Sequence, residues 1–590
     1  MKGENSVIPS EFRKKFKSVG QSIWERFKSL SRMSFDKKIG IYKFKFNFWI
    51  FLILLLCIFV NFYNLTNKGI TTFDEGDYLN AARLVLEGDL RKLGSGFKFV
   101  HNLIIVIFFS IFGIHDYVAF ASSAFFSLFT VYLIFLIGSM LFDDKTGLLA
   151  ALTLTVTEYF IYFSRSGLAD GHMMFFFTLT IFVYLSGLSR DNLPNLITTG
   201  LLAGICYATK NVGALVLVVI ILIELLLLLI KKRSLNEALK RIFVIVFFFL
   251  LVVVPIVTVV NLFARHKDIA KYKTVERIYD IIFRLGQYAD FYFYFWFFLK
   301  LSSLITVVLF MLGFTKAIVK RTLGDKVILV WFLFLYIFLS LFPQHRMNLF
   351  VILLPAVVLF VARGLLLFKR KEILTLILAL LIFFSLSNAW NTITMTSLGY
   401  KKTAEAIIKD NGKGVITTNH GQLRFYLRSL PLKTVGFDEN ELKDLGFKLD
   451  NVTLISILKK LRRMGYSHLV LDWRGGVSKS MGWYRVRNFK RDVVTNVEPI
   501  AVVKNNNLEV DEMPFLYREW FTETVTQEEI EEFLKWADED YRRANNITDD
   551  MLVYNDKYRR FTGWYFLRDD PCKDKIYIFR LSDVIEELGE

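Results

Sequence analysis

The stretch Thr71-Thr72-Phe73-Asp74-Glu75-Gly76-Asp77-Tyr78 places three carboxylates within four positions, two of them adjacent. Thr72 and Glu75 have the spacing of a capping box, and acids in a first turn favour the helix dipole. A helix is therefore predicted to start at Thr72. Capping and catalysis are compatible, because a carboxylate held at a helix N-terminus can take a proton from a reacting hydroxyl. Leu79, Ala82, Leu86, Leu90 and Leu93 follow in one narrow stripe of the helical wheel. They predict an amphipathic helix lying along a membrane surface, with the acids at its start. A second constellation pairs Asp170 with Arg165, five residues earlier; its two readings are a structural ion pair and a substrate contact.

These residues need a scaffold, and composition names its class. The 590 residues are 54% apolar and 16% aromatic, with mean hydropathy +0.42 and sixty Phe concentrated in long uncharged runs. That excludes disordered, collagen-like and disulfide-scaffold chains. A span needs about 20 apolar residues. Candidates run over 47–65, 117–142, 147–163, 171–188, 196–209, 211–230, 242–262, 291–313, 327–342, 348–367 and 373–390, with 98–113 a further apolar run. Basic clusters at the N-terminus, Lys231 to Arg233 with Lys240-Arg241, Lys316 to Lys326 and Lys369 to Lys371 share one side only if 98–113 does not cross. The expectation is a polytopic α-helical membrane protein of eleven spans, or twelve to thirteen if further segments cross. The N-terminus is expected in the cytoplasm and everything after about residue 391 outside.

The net charge is +18, and the first 48 residues hold 12 basic and 4 acidic side chains, an excess of 8. That excess suits an anionic membrane face rather than nucleic acid. Phe12, Phe16, Val19, Ile23, Phe27 and Leu30 recur at helical spacing, so residues 1–46 read as a basic cytoplasmic amphipathic arm. Residues 47–391 read as the membrane domain, with a first outer loop at 66–116. From 392 to 590, helical patterns at 400–410, 453–464 and 526–544 alternate with apolar runs at 414–418, 468–472, 498–503 and 575–580. These predict a soluble extracytoplasmic α/β domain. Asn451-Val-Thr and Asn546-Ile-Thr have the form of glycan acceptors. Cys57, Cys206 and Cys572 are too scattered for a disulfide framework or a zinc site.

The Asp74-Glu75 pair after a first span resembles the first outer loop of the GT-C glycosyltransferases, above all the protein O-mannosyltransferases and lipid A aminoarabinose transferases. Further pieces follow in the same order. They are Phe112-Gly113 before a span ending Leu141-Phe142, the run Tyr162 to Asp170 with its Ser164-Arg165 and Leu168-Ala169-Asp170, Gly204 to Lys210, and Gln344-His345-Arg346 ahead of Leu354-Pro355. The resemblance covers about residues 45–370. One departure is Lys98-Phe-Val-His101, where relatives often carry Lys-Pro-Pro or His-Pro-Pro.

The resemblance implies transfer of a sugar from a polyprenyl (dolichyl-type) phosphate donor to a glycan, protein or lipid acceptor at the outer face, by inverting displacement. A departing phosphate needs cations more than a general acid. Asp74 is then the expected base, with Glu75 and Asp170 as further catalytic candidates. Lys210 and Arg346 are the favoured phosphate ligands, followed by Lys98, His101 and Arg165. The structural reading of each cation is a side chain snorkelling to water. Some relatives hold a divalent ion between acids of the first two outer loops and others do not; Asp74, Glu75 and Asp170 are the residues that would hold magnesium or manganese here. The rival function is a transporter or lipid flippase. It normally shows two related halves and broken midplane helices, neither of which is visible in the sequence. A non-catalytic scaffold presenting the C-terminal domain leaves the ordered outer-face charges without a purpose.

Overall fold

The structure is a computed structural model, and it describes residues 34–39, 42–188, 192–264, 291–342, 347–396, 398–417, 420–437, 439–447, 453–472, 483–504, 572 and 575–589. The helices expected over 12–30 and 526–544, Arg346, and the acceptor asparagines Asn451 and Asn546 lie outside the described residues.

The chain opens with an antiparallel hairpin, β1 (Ser34–Ile39) and β2 (Tyr42–Asn47). Helix α1 (Phe48–Phe62) follows, started by Asn47, whose side chain accepts the Ile50 N–H at 3.0 Å. Then come α2 (Phe73–Leu86), α3 (Phe99–Phe112), α4 (Asp116–Leu141), α5 (Asp144–Val156), α6 (Glu158–Ser164), α7 (Ala169–Ser186) and α8 (Leu193–Thr209). The helical part continues with α9 (Leu215–Leu229), α10 (Leu235–Ala264), α11 (Phe291–Leu301), α12 (Leu304–Lys320), α13 (Leu323–Leu341), α14 (Leu354–Leu365) and α15 (Lys371–Thr394). The C-terminal part runs α16 (Gly399–Lys409), β3 (Val415–Thr417), α17 (His420–Tyr426), β4 (Val435–Gly436), α18 (Glu439–Asp444), α19 (Leu454–Arg463) and β5 (His468–Leu471). It ends with α20 (Trp483–Asn496), β6 (Ala501–Lys504), β7 (Lys575–Arg580) and α21 (Leu581–Leu588).

Among the described residues, seven helical segments are long and apolar enough to cross a membrane, or eight if the bent pair α5–α6 is one span. The 26 residues of α4 reach about 39 Å at 1.5 Å per residue, against about 30 Å of hydrocarbon. Helix α10 leaves Phe243 70%, Phe247 53% and Val254 56% exposed, a face suited to lipid rather than water. Two expected spans are interrupted. The run 291–313 breaks between α11 and α12 because Ser303 caps a new helix, its Oγ accepting the Thr306 N–H at 3.3 Å. The run 147–163 turns by 68° at Thr157, whose backbone is extended.

Two compact units emerge. The first comprises Met1–Tyr63, Ala124–Ser164 and Ala169–Ile393; the second comprises Asn64–Ser123, Arg165–Leu168 and Thr394–Glu590. The second unit thus gathers the loop after α1 with the C-terminal region, which a linear division at residue 392 keeps apart.

In the first unit, helices meet through small residues. A methyl group at Gly313 of α12 would lie 1.8 Å from the Phe360 carbonyl oxygen of α14, and one at Gly364 would lie 2.1 Å from the Leu309 oxygen. Gly200 and Gly204 of α8 make the same close approach to α10, with Ile245 O and Val252 Cβ at 2.5 and 2.6 Å from the added methyl. Such contacts are how helices associate where the surrounding lipid is as apolar as they are. Buried charges are paired there. Glu224 accepts from Arg241 at 2.7 Å, and Arg363 donates to Asp325 at 2.9 Å.

In the second unit, the sheet order is β4-β3-β5-β7-β6, with β3 parallel to β4 and β5 while β7 is antiparallel to β5 and β6. Alternation along the strands loads both faces. Ile416, Leu469, Leu471 and Phe579 pack with α19, α20 and α21, whereas Val415, Val470, Ile576 and Ile578 pack with α16 and α17. The leucine stripe of helix α2, expected to face a membrane surface, is packed against protein over its first turns. Leu79 and Ala82 are buried against Ile105 and Phe109 of α3, while Gly76 and Asn80 are buried against Gly421 of α17. The stripe ends early, with Leu86 39% and Leu90 60% exposed.

Candidate active site

The predicted capping box is present at the start of α2. Thr72 is the N-cap, its Oγ1 accepts the Glu75 N–H at 3.2 Å, and the Glu75 carboxylate accepts the Thr72 N–H at 3.1 Å. Glu75 is wholly buried and does more than close the cap. Its Oε2 also accepts from the Thr71 N–H and the Thr71 hydroxyl, both at 2.7 Å. Its Oε1 accepts the Gly167 N–H at 2.9 Å and faces the Lys68 ammonium at 3.4 Å. Burial alone would raise the Glu75 carboxyl, but Lys68 and the donations from Thr71 and Gly167 outweigh it and hold it below the usual range. Lys68 is as deeply buried, with its ammonium 4.1 Å from the centre of the Phe120 ring.

Five donors on two oxygens, the Lys68 ammonium among them, occupy the Glu75 carboxylate. The adjacent Asp74 differs. It is the second residue of α2, it is exposed, and among the described residues its carboxylate has no hydrogen-bond or ion-pair partner. One acid of the pair therefore fixes the loop and the other stands open beside the N-terminal N–H groups of the helix. Among the described residues no three His, Cys, Asp or Glu side chains converge as metal ligands.

Around Glu75 the second unit collects further charges, of which sequence reasoning singled out Arg165 and passed over Lys68 and Asp116. Asp116, the first residue of α4, is buried and accepts from the Tyr426 hydroxyl at 2.6 Å, and the same hydroxyl accepts the Ile70 N–H at 3.1 Å. Burial, reinforced by Asp116, pushes the Tyr426 phenol well above its ordinary range. Arg165 is fully buried in the same unit, in the four-residue segment that also supplies the Gly167 N–H. The buried charges Lys68, Arg165, Glu75 and Asp116 balance at two of each sign. Lys68 was visible as a lone cation seven residues before Glu75, just after an apolar run. The pairing of residue 116 with residue 426 had no local signal.

Of the other candidates, Lys98 and His101 also belong to the second unit. The Lys98 ammonium donates to the Gly96 carbonyl at 3.1 Å, and the buried His101 ring meets Tyr78 edge-on at 5.1 Å. Asp170 and Lys210 belong to the first unit and are partners: the ammonium donates to Oδ1 at 2.5 Å across forty residues of sequence. Asp170 opens α7 and Lys210 closes α8, so the antiparallel packing of consecutive helices brings them together. Gly204, six residues before Lys210, contributes by letting α8 approach α10.

Comparisons with known proteins agree with this architecture. Residues 98–258 match the family described as dolichyl-phosphate-mannose-protein mannosyltransferase. No curated protein matches the chain. Among solved structures, ArnT from Cupriavidus metallidurans bound to undecaprenyl phosphate superposes with TM-score 0.59 at 14% identity, over 77% of this chain and 96% of that one. The Archaeoglobus fulgidus oligosaccharyltransferase in complex with zinc and sulfate superposes with TM-score 0.51 at 12% identity, over 90% of this chain and 88% of that one. The archaeal oligosaccharyltransferase AglB from the same organism, in complex with an inhibitory peptide and a dolichol-phosphate, gives TM-score 0.51 at 10% identity with the same coverage. The fold of this multi-pass membrane protein is thus the one shared by ArnT and the archaeal oligosaccharyltransferase over most of the chain, and residues 98–258 resemble the dolichyl-phosphate-mannose-protein mannosyltransferase family.

Proposed function

We propose that the protein moves a sugar from a polyprenyl (dolichyl-type) phosphate to an acceptor on the outer face of the membrane, with Asp74 as the base. The observation that carries this reading is the division of labour in the acidic pair: Glu75 is consumed by five donors, and Asp74 is exposed and unpartnered among the described residues. The donor class is supported by the lipid phosphates bound to ArnT and to AglB.

In the proposed step the acceptor oxygen attacks the anomeric carbon and its proton passes to Asp74. The bond from the anomeric carbon to the phosphate oxygen breaks, and its electron pair leaves with the polyprenyl phosphate. That developing charge calls for fixed cations. Lys210 is the first choice: Asp170 holds one of its three donors and orients it, leaving two for phosphate oxygens. Arg346, Lys98, His101 and Arg165 are the further candidates. Glu75 acts here by holding the loop rather than by touching substrate. The cytoplasmic N-terminus and outer C-terminal domain follow from the basic clusters. Loss of the chain should remove one sugar residue from a defined glycolipid or glycoprotein, read by mass spectrometry of cells with and without it. An unchanged glycoconjugate profile, with altered uptake or lipid sidedness instead, would favour transport.

A further inference from the structure

Helix α2, which presents Asp74, is held from behind by the C-terminal sheet. Strand β3 lies between β4 and β5 and leads, two residues later, into α17. From α17 the contacts fall on both sides of Asp74 in sequence. A methyl group on Gly76 would sit 2.4 Å from the Gly421 carbonyl carbon and 2.6 Å from the Gln422 nitrogen; one on Gly421 would sit 2.9 Å from the Phe73 carbonyl oxygen. These are backbone-to-backbone contacts, with no flexible side chain to yield. The buried Asn80 amide closes the joint by donating to the Gly76 carbonyl at 2.7 Å and the Gly421 carbonyl at 2.8 Å. Tyr426, at the end of α17, takes the Ile70 N–H and donates to Asp116. The joint therefore touches residues 70, 73, 76 and 80, while the Asp74 carboxylate stays open.

We propose that α17 is a brace for the catalytic helix, with Gly76, Asn80, Gly421 and Tyr426 as positioning residues, so that the C-terminal sheet is part of the transfer apparatus. This rests on the reading of Asp74 as base. A proton acceptor works only when its oxygen is held within about 0.5 Å of the productive place, and a misplacement of about 1 Å costs about a hundredfold. A glycine pair locked by one bidentate amide transmits the position of a packed sheet to a helix end with little slack.

The test is a double-mutant cycle in full-length protein, in membranes of cells lacking the native chain. The readout is initial transfer to the glycoconjugate identified as above, per amount of folded protein. Gly76→Ala should lower kcat at least about tenfold and change the KM for the lipid-linked donor less than about twofold. In the Asp74→Asn background the same substitution should have almost no further effect, because the base it misplaces is already gone. Tyr426→Phe, which keeps the ring and removes one hydroxyl, should show the same pattern more weakly and serves if Gly76→Ala does not accumulate. A parental kcat in these variants, or an equal fold-loss with and without the Asp74 carboxylate, would overturn the brace. If Asp74→Asn alone transfers at the parental rate, it is instead the assignment of the base that falls.

Discussion

Both oxygens of Glu75 are committed to Thr71, Thr72, Gly167 and Lys68, so its removal strands a buried ammonium. Breaking one side of a buried pair costs about 3–5 kcal/mol, whereas removing both charges is often tolerated. Glu75→Gln should therefore lower the thermal stability of the detergent-solubilised protein markedly, and Lys68→Met added to it should restore part of the loss. Equal melting of Glu75→Gln and parent would mean that the network carries no structural load. At this scale the sequence was half legible. The capping box is local, and Thr72-x-x-Glu75 announces it. The donation from Gly167 comes from 92 residues away and has no local mark. The same holds for Asp170 and Lys210: each was singled out, but their ion pair follows from helix packing rather than from spacing.

Among the elements, four of the five C-terminal strands were readable, β4 being missed, because short apolar runs bounded by polar turns have few other uses. Val415–Thr417, His468–Leu471, Ala501–Lys504 and Lys575–Arg580 all fall on such runs. The hairpin at Ser34–Asn47 was missed although Tyr42-Lys-Phe-Lys-Phe-Asn alternates at the strand period. The packing of helix α2 was only partly readable, because a leucine stripe announces one buried face. The flank beside that stripe is buried through a glycine and an asparagine, residues that carry no hydrophobic signal. One clasp joins several elements of the sheet. Asp410, just after α16, accepts two bonds from Arg580 of β7, at 2.7 and 3.0 Å, and contacts His468 of β5 at 3.1 Å. The Arg580 guanidinium, with His468, pulls the Asp410 carboxyl down to about 2. Its folded pKa lies below the unfolded value of about 3.9. The stabilisation is thus fully present above about pH 4 and is lost as pH falls toward 2. Asp410→Asn should speed hydrogen exchange in β5 and β7 at pH 7, and the gap from the parent should close as the pH drops from about 4 to about 2. A gap that persists unchanged at the acid end would show that the clasp does not act through this charge.

For the whole molecule, hydropathy exposed the membrane class at once, because lipid-crossing helices are long and uncharged. The grouping of the chain into units was not legible, since the loop after α1 and the C-terminal region join across more than 300 residues. Orientation is open to direct measurement. Single cysteines replacing Gly94 and Glu439 should react with an impermeant reagent from outside, and one replacing Asp144 should be protected. The reverse pattern would put Asp74 on the cytoplasmic side and remove it from an outer-face reaction. The proposed transfer of sugar with Asp74 as base is tested most directly by one comparison. Asp74→Asn keeps the side-chain shape while removing basicity, and Asp77→Asn is the neighbouring control. Transfer by folded Asp74→Asn protein should fall at least about a hundredfold, with binding of undecaprenyl phosphate or dolichyl phosphate retained and the control close to the parent. Near-parental transfer by both variants would contradict the account and return Asp74 to a helix-capping role.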